Sequence, residues 1–222
     1  DRFQLPVFIL TDQYTMDSYY NVKGLTVPDQ TIQHQITKTA ADYRRYELDV
    51  PHGISPRGIP AYGEGLVRLD SDEHDAAGFI TEDMPTREKM VQKRLARLEQ
   101  LKKVALEPEL IGPSDYRILC IGWGSTYHMI KEALTQLEHP EIAFLHFPQI
   151  YPLSQKATAW LERADQLILI ENNATGQFAR LLEAETGIKV PHRILKYNGL
   201  PFYVDELATK IKLIVNEKGG QS

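Results

Sequence analysis

The chain carries a single cysteine, Cys120, in 222 residues. One thiol excludes an internal disulfide framework, and it cannot by itself ligate an iron–sulfur cluster, which takes about four. Basic charge is also in short supply. The 25 Lys and Arg against 30 Asp and Glu leave a formal net charge of -5, which argues against a nucleic-acid partner. Where basic residues do gather, between Arg87 and Lys103, Glu88 and Glu99 interrupt them, so the stretch reads as a solvated helix face. No apolar run approaches the roughly 20 residues that span a bilayer, and no signal-peptide pattern is visible. These absences predict a cytoplasmic chain with no membrane partner. Repeats and low-complexity tracts are missing as well. What remains is an ordinary globular composition, 42% hydrophobic and 25% charged, long enough for one large domain or one domain plus a piece of another.

The first 115 residues are irregular. Val7-Phe8-Ile9-Leu10 is a short apolar run, which predicts a buried parallel strand with polar groups at Thr11 to Tyr14 beyond its end. The chain enters this run almost at once after Asp1, as expected of part of a longer subunit. Residues 16–49 predict an irregular connection with one helix near its start, and 51–85 a loop rich in Gly and Pro. From Thr86 to about Leu106, Met90, Val91, Leu95, Leu98, Leu101 and Val104 recur at three- and four-residue spacings. That spacing predicts an amphipathic helix, started by Asp83 and Pro85 and ended by Pro108.

After Tyr116 the pattern alternates between strand and helix. Strands are predicted at 117–121, 142–147, 166–170 and 193–196, and helices at 126–138, 154–163, 176–186 and 204–216. Repeated units of this kind imply an α/β fold, a parallel sheet flanked by helices. Ligands in such sheets sit beyond the carboxyl ends of the strands.

Four segments carry candidate chemistry. In Gly53-Ile54-Ser55-Pro56-Arg57-Gly58-Ile59-Pro60, prolines restrict the backbone while glycines permit close approach. A guanidinium so fixed can take a carboxylate with two parallel hydrogen bonds, or it can brace the loop against Asp70 or Asp72. Asp72-Glu73-His74-Asp75 with Thr81-Glu82-Asp83 lacks the ligand spacing of a zinc site, and reads as a loop network built on Asp72, His74 and Thr81. Gly122-Trp123-Gly124-Ser125-Thr126 joins a strand to a helix, with Ser125 or Thr126 as the expected cap. No acidic residue ends the next strand, which reads His146-Phe147-Pro148, so a dinucleotide site is not expected. Finally, Glu171-Asn172-Asn173-Ala174-Thr175-Gly176-Gln177 gathers donors and acceptors at a helix start, fitting either a cap with an interface or a ligand contact. Cys120, inside Ile118-Leu119-Cys120-Ile121, is expected to be an inert buried thiol.

In this order, these strings resemble the alpha subunit of 2-oxoacid:ferredoxin oxidoreductases, closest to the 2-oxoglutarate type, over nearly the whole chain. The resemblance implies an oxidoreductase acting on a 2-oxoacid and coenzyme A with thiamine diphosphate, magnesium and iron–sulfur clusters, all carried mainly by the beta subunit and none by this chain alone. Ferredoxin would take the electrons. It implies substrate binding by Arg57 and Ser55, and an interface or a coenzyme A path at Asn172, Asn173, Thr175 and Gln177. The implied layout is the tail of a pyrimidine-binding domain over 1–50, a linking segment with the long helix over 51–115, and a transketolase C-terminal-like domain over 116–222. Two departures stand out. Ala61 takes a place where the family often has glycine, and the family's Tyr-Pro-Ile-Thr-Pro substrate loop is not in this sequence. A non-catalytic α/β assembly module is the rival reading.

Overall fold

A computed structural model of the chain describes residues 1–26 and 35–217. It divides into two compact units. The first holds Asp1–Phe8 and Asn21–Lys103, the second Ile9–Tyr20 and Val104–Ser222.

The second unit follows the strand and helix alternation. Its strands are β3 (Glu109–Ile111), β4 (Ile118–Trp123), β5 (Ile142–Phe147), β6 (Gln166–Glu171) and β7 (His192–Leu195), preceded in the chain by β1 (Ile36–Thr39) and β2 (Arg57–Gly63) of the first unit. They form one sheet in the order β3-β5-β4-β6-β7. The four expected strands are parallel, pairing Cys120 with Phe144 on one side and Ile168 on the other. The sequence reading missed β3, which adds an antiparallel edge along β5. With β4 and β6 wholly or almost wholly buried, side chains alternate between two apolar clusters, one on each face of the sheet. Leu119, Ile121, Leu145 and Leu169 enter one cluster; Cys120, Phe144, Ile168 and Ile170 enter the other. Such a sheet must be covered on both sides, which explains its nearly continuous apolar strands. The helices are α3 (Thr126–Leu137), α4 (Ala157–Glu162), α5 (Gln177–Thr186) and α6 (Val204–Glu217), with the short α1 (Gln13–Asp17) from the earlier segment. Burial pushes the Cys120 thiol up to about 12, so it stays protonated.

The first unit is built differently. Its strands β1 (Ile36–Thr39) and β2 (Arg57–Gly63) run parallel, pairing Ile36 with Arg57 and Thr37 with Gly58. The helix α2 (Met84–Lys103) is capped by Asp83, whose carboxylate accepts from Thr86 N–H at 2.9 Å. Only Met90 and Lys93 are buried along it, whereas Leu95 is 58% exposed. The apolar spacing therefore located the helix without identifying its inward face. Val7, Phe8 and Ile9, expected in a buried strand, are over 80% exposed and lie outside any strand. No strand pairs with them among the described residues. The irregular stretch expected over 16–49 contains β1 and the end of α1; its residues 27–34 lie outside the described residues.

Candidate functional site

Arg57 opens β2 rather than sitting in a free loop, and its backbone is held on both sides. Its own N–H donates to Gln35 O at 2.8 Å. The Tyr43 hydroxyl then bridges its two neighbours, donating to Pro56 O at 2.9 Å and accepting from Gly58 N–H at 2.7 Å. Gly58 has no room for a side chain, because a Cβ there would meet the Thr39 methyl at 2.5 Å. The guanidinium is one-third exposed, and its Nη2 reaches Asp1 Oδ1 at 3.4 Å. Ser55 lies inward, 2% exposed. Its hydroxyl donates to Glu47 O at 3.0 Å and accepts from Lys93 Nζ at 2.5 Å. Further cations tie the same loop by its carbonyls. Arg97 Nε donates to Gly53 O at 2.9 Å and Arg45 Nη1 approaches Ser55 O at 3.5 Å, while Gln4 Nε2 donates to that oxygen at 2.7 Å. Gly53 packs so closely on α2 that a Cβ would lie 2.3 Å from Lys93 O.

Tyr43, Arg45, Lys93 and Arg97 were not singled out from the sequence. A signal existed for two of them: Lys93 and Arg97 follow Met90 at helical spacing, which puts cations on the stripe that faces inward.

Residues 70–83 fold largely on their own hydrogen bonds. Asp70 Oδ1 accepts from Asp72 N–H at 2.8 Å, His74 Nδ1 lies 2.8 Å from Asp72 O, and the Thr81 hydroxyl accepts from Asp83 N–H at 3.2 Å. His74 bridges to Ile80 across the turn, and its ring lies 3.9 Å from that of Tyr46. Glu73 takes both Nη groups of Arg94 at 3.0 and 2.8 Å, which holds its carboxyl below the usual range. Among the described residues no group of three or more His, Cys, Asp and Glu is arranged to hold a metal ion.

In the second unit, β4 pairs with β5 on one side and β6 on the other, so the chain reverses direction across the sheet at the carboxyl ends of β4 and β6. Crevices at such switch points are the usual ligand sites of open α/β sheets. Here a crevice of about 430 Å³ is lined by Trp123, Gly124, Ser125, Tyr127, Asn172 and Asn173, with Asp12 and Tyr14 from the α1 segment. Ser125 occupies the expected N-cap position of α3, but its side chain makes no capping hydrogen bond. Ser125 donates its hydroxyl to the Asp12 carboxylate, and Thr126 donates to Trp123 O at 2.8 Å. Partial burial raises the Asp12 pKa, but hydrogen bonds from Ser125 and Thr15 outweigh it and leave the group below its ordinary value.

Glu171-Asn172-Asn173-Ala174-Thr175-Gly176-Gln177 caps α5. The fully buried Glu171 carboxylate accepts from Phe178 N–H at 3.0 Å and Ala179 N–H at 3.1 Å, and from Asn173 Nδ2 at 2.5 Å. Asn173 Oδ1 accepts from the N–H groups of Thr175, Gly176 and Gln177 at 3.1, 2.7 and 3.3 Å. The orphan donors of the helix start are thereby accounted for. Asn172, Thr175 and Gln177 remain exposed.

Comparison with known proteins agrees with the motifs. The 2-oxoacid:ferredoxin oxidoreductase 2 subunit alpha of Aeropyrum pernix is 33% identical over 97% of this chain. The corresponding subunit of Saccharolobus solfataricus is 30% identical over the same share. Over nearly its whole length the chain is similar to the alpha subunits of 2-oxoacid:ferredoxin oxidoreductases. It spans 35% of the length of these two relatives. Among solved structures, the 2-oxoglutarate:ferredoxin oxidoreductase of Magnetococcus marinus, with 2-oxoglutarate, coenzyme A and succinyl-CoA bound, superposes with a TM-score of 0.72 at 26% identity. That superposition covers 77% of this chain and 30% of the other. No family profile matches. No helix among the described residues is long and apolar enough to cross a membrane.

Proposed function

We propose that this chain is part of the alpha subunit of an enzyme that oxidatively decarboxylates a 2-oxoacid with coenzyme A and passes electrons to ferredoxin. Arg57 would contribute by binding the substrate carboxylate. The observation that carries the residue assignment is the double pinning of its backbone by Tyr43 and Gln35, which leaves a partly exposed guanidinium on a fixed base. A planar fork held this way suits a carboxylate, and a preorganised donor loses little entropy on binding. Ser55, with its hydroxyl turned inward, would serve by anchoring the strand entrance.

The beta subunit would supply thiamine diphosphate with its magnesium and the iron–sulfur cluster. The residues here do not fit a cluster, since Cys120 is one buried thiol, and no step is assigned to these groups in this chain. Residues 1–50 would belong to the tail of a pyrimidine-binding domain, 51–115 to a linking segment, and 116–222 to a transketolase C-terminal-like domain. The exposed Asn172, Thr175 and Gln177 would face a subunit or the coenzyme A path, while Asn173 is spent on the helix cap. Asp72, His74 and Thr81 would keep their loop ordered beside the site. A cytoplasmic location fits the composition.

The rival is an assembly module without ligand contact. It draws support from the apolar side chains exposed on the first unit, such as Leu66 at 78% and Leu69 at 67%. Substitution of Arg57 in the assembled enzyme separates the two. Arg57→Ala removes a charge-assisted contact of about 1.5–3 kcal/mol, so kcat/KM for the 2-oxoacid should fall roughly ten- to hundredfold. Arg57→Lys should recover part of it. Unchanged kinetics with lowered thermal stability would give the residue to the bracing role and the loop to assembly.

A further inference from the structure

We propose that Lys93 is a positioning residue for the 2-oxoacid, its buried ammonium holding the strand entrance from which Arg57 projects. The inference rests on the reading of Arg57 as the carboxylate ligand. Lys93 lies on α2, 38 positions along the chain from Ser55, and is 7% exposed. Its ammonium donates to Ser55 Oγ at 2.5 Å and to Glu47 O at 2.6 Å. Ser55 in turn donates to the same Glu47 carbonyl, so three groups close a small ring. Only Pro56 separates Ser55 from Arg57, and Tyr43 fixes that proline's carbonyl. A shift of Ser55 is therefore passed to the base of the guanidinium through two peptide units that have little freedom.

A buried lysine is an expensive anchor unless its charge matters. The charged groups around it are Arg94 and Arg97 on its own helix and Arg45 and Glu47 on the segment facing it. Three of these four are cations. Burial first, then Arg97 and Arg45, pull the Lys93 pKa down from 10.5 to about 8, with Glu47 opposing. The ammonium is charged at neutral pH and becomes an amine just above it. The amine keeps N–H donors but loses the charge that strengthens both bonds. Loosening of the Ser55 tie, and with it weaker 2-oxoacid binding, is expected as pH rises through about 8.

The test is the KM for the 2-oxoacid in the assembled enzyme from pH 6.5 to 9.5, for the native protein, Lys93→Arg, Lys93→Met and Ser55→Ala. Native KM should rise roughly three- to tenfold across this range, as two hydrogen bonds lose charge assistance. Lys93→Arg cannot titrate there, so its profile should lose that rise. Lys93→Met and Ser55→Ala should start from a raised KM, flat in pH, with kcat reduced by less than KM is raised. The thiol of coenzyme A titrates alike in every variant, so differences between profiles isolate Lys93. A rise that persists in Lys93→Arg, or native KM in Ser55→Ala, overturns the proposal, and these two arms decide it even if Lys93→Met fails to assemble. Arg57→Ala run beside them separates the premises. If it leaves KM unchanged, the carboxylate reading fails; if it raises KM while the Lys93 and Ser55 variants follow the native profile, only the positioning role fails.

Discussion

Glu171→Ala should unfold the second unit more easily than almost any other single polar change in it. The carboxylate is fully buried and satisfies the N–H groups of Phe178 and Ala179, both themselves buried at the start of α5. Truncation leaves two donors without acceptors in a place water reaches poorly, at about 1–3 kcal/mol each, and removes a negative charge from a helix N-terminus, worth about 0.3–1 kcal/mol more. It also frees Asn173 Nδ2, which now donates to Glu171. The sum is about 4 kcal/mol. Glu171→Gln keeps the shape and one acceptor, so about half that loss is expected. Urea unfolding followed by tryptophan fluorescence would measure it, because both Trp123 and Trp160 belong to this unit. The two roles considered for this motif then part company. A ligand-binding Glu171 would lose activity in the Gln variant while keeping its stability, whereas a cap loses stability first. A Glu171→Ala loss below about 1 kcal/mol would refute the capping account.

Two further changes test particular backbone and burial features. Ala61 sits at φ +65 in the exposed half of β2, a left-handed conformation that costs an L-residue about 1–2 kcal/mol, so Ala61→Gly should raise stability by roughly 0.5–1 kcal/mol in thermal melts after the extra freedom of the unfolded glycine is subtracted; a loss of stability would show that the strain is not real. His146 has its Nε2 buried without a hydrogen-bond partner among the described residues, and burial, opposed by Glu109, lowers its pKa. The unfolded imidazole therefore takes its proton first as pH falls below about 6.5, stability declines from there through the lower folded pKa, and His146→Phe should flatten that part of a pH series of melting temperatures.

The second unit was legible because its strands are buried on both faces. Ile142–Phe147 has the bounds expected, and Gln166–Glu171 extends the expectation by one residue. Burial of both faces selects continuous apolar runs, and those survive in a single sequence. The first unit was not legible for the opposite reason. The strand Ile36-Thr37-Lys38-Thr39 is set by pairing with a glycine-containing partner and by the Thr39 hydroxyl, which shares its one hydrogen between Tyr62 O and Gly65 O, each at 3.2 Å, and accepts from Gly65 N–H. None of that leaves a hydrophobic period. Val7 to Leu10 failed in the reverse sense: an apolar run predicts burial only where a neighbouring strand exists to provide it. At the site, Arg57 could be found because its local string is unusual. Tyr43 could not, and the helical spacing of Lys93 after Met90 marked only an inward face; they reach the loop from 14 and 36 positions away, and only the fold brings them there.

The cations behind the Arg57 loop also bear on what that loop can bind. An apolar core could brace Gly53 and Ser55 as firmly, and without the desolvation cost of burying charge. Here Arg45, Lys93 and Arg97 instead spend donors on the carbonyls of Glu47, Gly53 and Ser55, with Glu47 the one acid among the charged neighbours of Lys93. Hydrogen bonds to carbonyls satisfy the donors but do not cancel their charge. The loop therefore rests on a local excess of positive charge within a chain whose net charge is -5. Such a field favours an anionic ligand and acts over about a Debye length, roughly 8–10 Å at moderate salt. If these cations serve only as braces, Arg97→Met should lower stability and leave the ionic-strength dependence of 2-oxoacid affinity as it is in the native protein. If they also draw the substrate, affinity in the assembled enzyme should weaken with added salt in the native protein and do so less steeply in Arg97→Met. A salt dependence identical in the two would confine these residues to holding the loop.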